Sequence, residues 1–181
     1  MALDFWVEPS KEVLMNTQKI QSAEKKRSRA VTKSADRALV MTRVFDAPRR
    51  LVFEAWTRPE HLPHWMLGPE GWTMPVCEID LRPGGAWHFV WRQSDGNEME
   101  MRGVYREITP PERLVSTESW GGDWPETLNT VVLFEEDGKT TMTLTVLYPS
   151  KEAREAALKT GMKEGASLSF DRLAAYLRTM A

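Results

Sequence analysis

Cysteine is almost missing from this chain of 181 residues, since Cys77 is the only one. One cysteine cannot form an intrachain disulfide, and the opening residues MALDFWVEPSKE lack the basic and apolar regions typical of a secretory signal. We therefore expect a reducing, cytoplasmic setting. No segment approaches the roughly 20 consecutive apolar residues that span a bilayer, so we expect a soluble protein with no membrane partner.

Strong net charge is also missing, because 24 Lys and Arg are balanced by 26 Asp and Glu. A net charge of -2 gives no electrostatic reason to expect a polyanion, so we expect no nucleic-acid partner. The basic cluster at 25–29 has no interleaved aromatics, and we interpret it as a solvated face. Tryptophan and methionine are plentiful, with 8 and 10 residues, and both suit a surface that adapts to a ligand.

Two regions can be separated along the chain. Residues 1–36 are mostly polar, and we predict an N-terminal arm for which a helix is the candidate structure. Its apolar stripe is thin, so such a helix would lean on the main domain or on a second subunit, which makes a homodimer a candidate assembly. Residues 37–181 are predicted to form one domain.

The domain begins with a predicted strand and two short helices. ALVMTRVF predicts the strand, and PRRLVFEAWT predicts a helix with Asp46 as its cap and Pro48 in its first turn. RPEHLPHWM predicts a second helical turn that Pro63 bends or ends.

Six extended runs follow, separated by turn residues, as is typical of an antiparallel meander. Asp137-Gly138 is a strong hairpin signal. A two-residue loop would align Leu133 with Met142, a three-residue loop would align Val132 with Met142, and both registers stay open.

The final segment, from Ser150 onward, predicts one long helix, because no proline follows Pro149. The predicted fold is therefore α+β, with a curved antiparallel sheet wrapped around this helix. The middle of the helix carries small residues, Gly165, Ala166 and Ser169 among them, so we expect a cavity between helix and sheet.

Several motifs together resemble a known family: FDAPRRLVFEAWTRPEHLPHW, EIDLRPGGAWHFVW, DGNEMEMRGVYREITPPERLVSTESW and FEEDGKTTMTLT. They are similar to the AHSA-type domain, the activator-of-heat-shock-protein-ATPase homologues, within the START-related, birch-pollen-allergen-like helix-grip superfamily (SRPBCC). The resemblance covers about 38–181. It implies a hydrophobic cavity and, in many relatives, a small apolar or aromatic ligand. The segment HWMLGPEGW departs from the family pattern, because Met66 and Leu67 are inserted before Gly68.

The candidate lining residues follow from strand alternation and helix spacing. AWHFVW places aromatics at every second position, and each buried indole N–H needs a hydrogen-bond partner, so a partly open pocket is favoured over solid packing. We predict that the ligand-binding residues are Trp56, Trp65, Trp87, Phe89, Met101, Glu118, Trp120, Met162 and Ser169. Trp120 and Trp124 could instead dock a second subunit.

Glu118 is the best candidate for acid or base chemistry, because a carboxyl among aromatic rings would have a raised pKa. The competing interpretation, which we favour, pairs Glu118 with an arginine at the cavity rim. No nucleophile motif is present, and Gly84-Gly85 leads into a strand, so it predicts a turn and not a phosphate loop.

A metal site could combine His61 and His64 with Cys77 and His88, but Pro63 interrupts the first pair and the others fall in separate strands. We therefore predict ordinary surface histidines, no metal and no cofactor. His88 should point away from the face that carries Trp87 and Phe89.

The leading hypothesis is a binding protein for a small hydrophobic or aromatic molecule, with a stress or detoxification role. The alternatives are an enzyme of cyclase, hydrolase or detoxification type that uses the same cavity, and a stress-related protein-interaction domain.

Overall fold

The computed structural model describes residues 36–180, so the predicted arm lies outside the described residues except for Asp36. Seven strands, three α-helices and one 3-10 helix make up this range. In chain order they are β1 (Ala38–Phe45), α1 (Arg49–Thr57), the 3-10 helix (Leu62–His64), β2 (Trp72–Ile79), β3 (Ala86–Gln93), β4 (Glu98–Thr109), β5 (Arg113–Glu118), β6 (Thr127–Glu136), β7 (Lys139–Leu147), α2 (Lys151–Leu158) and α3 (Met162–Met180).

The strands form one antiparallel sheet in the order β1-β7-β6-β5-β4-β3-β2. Helix α3 packs against the inner face of this curved sheet, and its buried residues Phe170, Leu173 and Leu177 join one apolar core with Trp87 and Phe89 of β3. The predicted α+β helix-grip fold is therefore confirmed. None of the helices within 36–180 is long and apolar enough to cross a membrane.

The predicted first strand and the helix after it lie where the sequence placed them, but the helix is capped differently. Pro48 is the N-cap residue, in extended conformation, and no capping bond comes from its own side chain. Glu135 on β6 instead accepts a hydrogen bond of 2.8 Å from the backbone N–H of Arg49. The prediction of Asp46 as the cap is wrong, because a carboxylate distant in sequence already satisfies this end of the helix.

The hairpin between β6 and β7 has the shorter of the two candidate loops. Leu133 lies opposite Met142, and the last pair of the ladder is Glu136 with Lys139, which leaves only Asp137 and Gly138 in the loop. Both have positive φ angles, 51° and 73°. This is the pattern of a type I′ turn, whose twist matches that of the strands on either side.

The chain ends in a long helix, α3, as predicted, but the prediction that a single helix runs from Ser150 onward is wrong, because the segment forms α2 and α3 with a break between them. Gly161 has a φ of 79°, and the backbone N–H groups of Lys159 and Thr160 donate to the last carbonyl groups of α2. A glycine in the left-handed conformation is a common helix terminator. At the other end, Ser150 caps α2, with its hydroxyl accepting from the N–H of Ala153 at 3.1 Å.

Candidate functional site

The inner face of the sheet and helices α2 and α3 enclose a cavity of about 580 Å³. This volume lies within the range of roughly 300–1,000 Å³ that small-molecule sites occupy. Aromatic and methionine side chains dominate the wall, which is typical of a pocket that holds an apolar molecule. The small residues predicted for the middle of the last helix, Gly165, Ala166 and Ser169, line the cavity from the α3 side.

Strand β3 supplies the aromatic row of this wall. Trp87, Phe89 and Trp91 alternate onto the inner face and are 5%, 5% and 3% exposed. Their rings contact one another, with centroids 4.8 Å apart for Trp87 and Phe89 and 6.1 Å apart for Phe89 and Trp91. The row therefore belongs both to the core and to the cavity wall, because one part of each ring packs against its neighbours and another part borders open space.

The turn before β3 holds this strand in place. Gly84 donates its N–H to the carbonyl of Tyr105, and Gly85 accepts from the N–H of the same residue. A Cβ atom on Gly85 would lie 2.0 Å from the backbone oxygen of Asp80, so only glycine fits there. The Gly-Gly pair is a turn, as the sequence predicted.

All nine residues predicted for the site lie along this one cavity: Trp56, Trp65, Trp87, Phe89, Met101, Glu118, Trp120, Met162 and Ser169. Not all of them offer a free polar group. Trp65 donates its indole N–H to the carbonyl of Ala55 at 3.0 Å, and the Ser169 hydroxyl accepts from the N–H of Gly68 at 2.9 Å. These two residues shape the wall and hold neighbouring segments together.

Glu118 is the polar centre of the site. Its Oε1 accepts a hydrogen bond of 2.7 Å from the Trp120 indole, and its Oε2 accepts one of 2.5 Å from the Asn129 side chain. Thr127 extends the network by donating to Asn129 at 3.1 Å. Burial raises the pKa of the Glu118 carboxyl, and the two hydrogen bonds offset only part of this shift.

The predicted pairing of Glu118 with an arginine is wrong. Within residues 36–180, no Lys or Arg forms an ion pair with Glu118, and both of its partners are neutral donors. Sequence spacing could not show this, because Asn129 comes from the neighbouring strand β6. Glu118 as a residue is partly accessible because it lines the cavity, yet its carboxyl lies deep enough for desolvation to dominate its pKa.

Tyr148 adds a second ionisable group to the cavity wall. Burial raises the pKa of its phenol to about 12, with a smaller contribution from the nearby Glu118 charge. Its hydroxyl donates to the sulfur of Met162 at 3.0 Å. Tyr148 is therefore a neutral hydrogen-bonding group at physiological pH, and sequence analysis missed it although it continues the alternation of Leu144 and Val146.

Other lining residues were also missed, although their signal was present. Trp91 continues the alternation of Trp87 and Phe89, and Asn129 alternates in phase with the buried Val131 and Leu133. A polar residue on the buried face of a strand is an informative position, because it must find a partner.

The cavity meets solvent where its lining residues become exposed. Trp120 and Trp124, on the loop after β5, are 39% and 44% exposed. Thr160 and Gly161, at the break between α2 and α3, lie on the same cavity and are exposed. Trp120 also stacks on Trp91 with centroids 5.8 Å apart and an angle of 15° between the rings.

The inserted residues of the loop before β2 belong to this wall. Met66 and Leu67 line the cavity, and the carbonyl of Met66 accepts from the Trp91 indole at 2.6 Å. The inserted residue Met66 therefore provides the hydrogen-bond acceptor for the buried indole N–H of Trp91.

The candidate metal ligands do not converge. His61 lies 2.9 Å from the Tyr176 hydroxyl, and His64 stacks on the same ring. Cys77 lies opposite Phe89 and packs on the core, and burial raises the pKa of its thiol to about 11.

His88 points to the other face, as predicted, and lies 3.7 Å from Glu78 and 3.2 Å from Glu100. Across the described residues, no group of three His, Cys, Asp or Glu is placed to hold a metal.

Comparison with known proteins agrees with the fold. The family described as Activator of Hsp90 ATPase homolog 1-like protein matches residues 46–178. A crystal structure from Rhodobacter sphaeroides is 29% identical, has a TM-score of 0.75, and the match covers 81% of this chain and 95% of that one. A Nitrosomonas europaea structure is 26% identical with a TM-score of 0.72, and the match covers 81% and 97%.

A structure from Mycobacterium smegmatis is also similar, with 26% identity, a TM-score of 0.71 and coverage of 80% and 92%. No curated protein matches the chain. The relatives therefore support the fold over nearly their whole length.

Proposed function

Since the chain belongs to the Activator of Hsp90 ATPase homolog 1-like family, whose helix-grip fold commonly holds hydrophobic ligands, we propose that it binds a small hydrophobic or aromatic molecule in the cavity between sheet and α3. The observation that carries the proposal is the cavity of about 580 Å³, walled by aromatic and methionine side chains. Affinity would come mainly from apolar burial, and orientation from the few polar groups around Glu118.

The test is binding of a neutral fluorescent probe, N-phenylnaphthylamine, which emits strongly only in an apolar site. Ala166 lies on the cavity side of α3 and is half-buried. Ala166→Phe would put a ring into the space that the probe needs, and we expect affinity to fall by about tenfold or more.

The matched control is Ala175→Phe, which adds the same ring to an exposed position of the same helix. We expect this variant to bind the probe as the unchanged protein does. Equal binding by both variants would show that the probe sits elsewhere and would refute the proposal. In a separate measurement, native mass spectrometry of the freshly purified protein would identify any molecule that co-purifies and count the subunits.

Glu118 favours a second candidate, an enzyme that uses the same cavity. A buried carboxyl with a raised pKa, in contact with a ligand space, is suited to proton transfer. Glu118→Gln separates the two candidates when the co-purified molecule is followed by mass spectrometry. A binder leaves that molecule unaltered with either side chain, whereas an enzyme converts it only when Glu118 is present.

A further inference from the structure

The cavity has a charge pattern that restricts its ligand. Among the described residues that line it, Glu118 is the only one of Asp, Glu, Lys, Arg and His. Two nearby arginines are engaged elsewhere, since Arg154 donates to the carbonyl of Ala38 and Arg172 donates to the carbonyl of Gly68. An anionic ligand would therefore bring a second negative charge into an apolar space whose described lining residues carry no positive charge.

Within the part of the chain that the structure describes, the Glu118 carboxylate also has unused acceptor capacity. It accepts one hydrogen bond at each oxygen, from Trp120 and from Asn129, whereas a carboxylate offers about four lone-pair positions. Both donors are neutral, so the negative charge has no counter-ion within 36–180. A buried ionised group of this kind is costly unless a positive charge is brought to it.

Aromatic rings lie beside the carboxylate. Trp120 donates to Glu118 and stacks on Trp91, and both rings line the cavity together with Trp87 and Tyr148. The face of an aromatic ring attracts cations through its quadrupole, and sites for organic ammonium ions are often built from such rings. The carboxylate and the rings therefore favour the same kind of ligand group.

We propose that the ligand of this cavity is an organic cation, an apolar or aromatic body that carries a protonated amine, and that the ammonium group pairs with Glu118. This inference rests on the proposed function and narrows its ligand class. The apolar body occupies the space between β3 and α3, and the ammonium group donates to the free lone pairs of Glu118 and lies against the Trp91 and Trp120 rings.

The experiment compares three probes of one shape, naphthylethylamine, naphthylethanol and naphthylacetate, by titration calorimetry near pH 7.5. We expect the amine to bind about tenfold or more tightly than the alcohol, and the acid to bind more weakly than the alcohol. In Glu118→Gln the amine should lose this advantage, while affinity for the alcohol changes by less than about threefold.

The pH dependence of the unchanged protein gives a second measurement, which needs no variant. Tyr148 and Tyr105 line the cavity, and burial raises the pKa of both phenols, so neither titrates between about pH 5 and 8. Arg154 also lies near Tyr148. Among the described lining residues, Glu118 is therefore the group whose ionisation changes as pH rises above the ordinary range of a glutamate, so affinity for the amine should rise with pH while affinity for the alcohol stays flat.

The outcomes separate the two proposals. Tight binding of the alcohol with no preference for the amine, or a preference that Glu118→Gln leaves intact, refutes the cationic ligand and leaves the proposed function standing. Preference for the acid refutes it as well. Failure of all three probes and of the neutral fluorescent probe refutes both proposals.

Discussion

Replacing Gly103 with alanine would add a methyl group where strands β4 and β5 already touch. A Cβ atom on Gly103 would lie 1.9 Å from the backbone oxygen of Thr117 and 2.6 Å from the Trp87 ring. Neither neighbour can retreat easily, because the first is backbone and the second is packed on Phe89 with centroids 4.8 Å apart. The variant must therefore separate the strands locally or displace the Trp87 ring.

The size of the effect follows from two opposing terms. Overpacking of this kind costs about 3 kcal/mol when the neighbours are backbone and a buried ring. Alanine restricts the unfolded chain more than glycine does, which returns about 1 kcal/mol. We expect the free energy of unfolding of Gly103→Ala to be lower by about 2 kcal/mol, with a parallel loss of probe affinity because Trp87 lines the cavity.

The measurement is urea unfolding followed by tryptophan fluorescence, with the dependence on denaturant checked for equal slope. Gly165→Ala is the matched control. A Cβ atom there meets only a Pro69 carbon at 4.0 Å, and the position is inside helix α3, so alanine should stabilise by about 0.5–1 kcal/mol. If Gly103→Ala were as stable as the unchanged protein, the close approach of β4 to Thr117 and Trp87 would be refuted.

Two further outcomes are expected for stability. Burial raises the pKa of Glu118 in the folded state. Its contribution to the free energy of unfolding is therefore complete below the ordinary pKa of a glutamate and is lost as pH rises through the raised value. The free energy of unfolding, measured by urea titration between about pH 5 and 8, should therefore fall more steeply with pH in the unchanged protein than in Glu118→Gln, and equal slopes would contradict the assigned burial. Leu173 is 0% exposed in the contact between α3 and the sheet, so Leu173→Ala should lose about 3 kcal/mol in the same assay, whereas Leu168→Ala, at a 45% exposed position of the same helix, should lose well under 1 kcal/mol.

The positions of the strands were predictable because strand alternation and turn residues are local properties. ALVMTRVF coincides with β1, and the turn at Asp137-Gly138 lies where its sequence predicts. The hairpin register was not predictable, since the run 131–134 (VVLF) is apolar at every position and offers an apolar face in either register. The break between α2 and α3 had a signal in Gly161, but a glycine within a helical pattern is often tolerated, so the signal did not decide the matter.

Local sequence patterns were enough to locate the strands, to show which rings alternate onto one face, and to show that the last helix carries small residues in its middle. The partners of Glu118, the backbone acceptor for Trp91 and the cap of α1 depended on the folded chain, because each of these comes from a distant segment. Side-chain periodicity is set by backbone geometry within a few residues, whereas the desolvation and hydrogen bonding of a buried group depend on whatever the folded chain brings beside it.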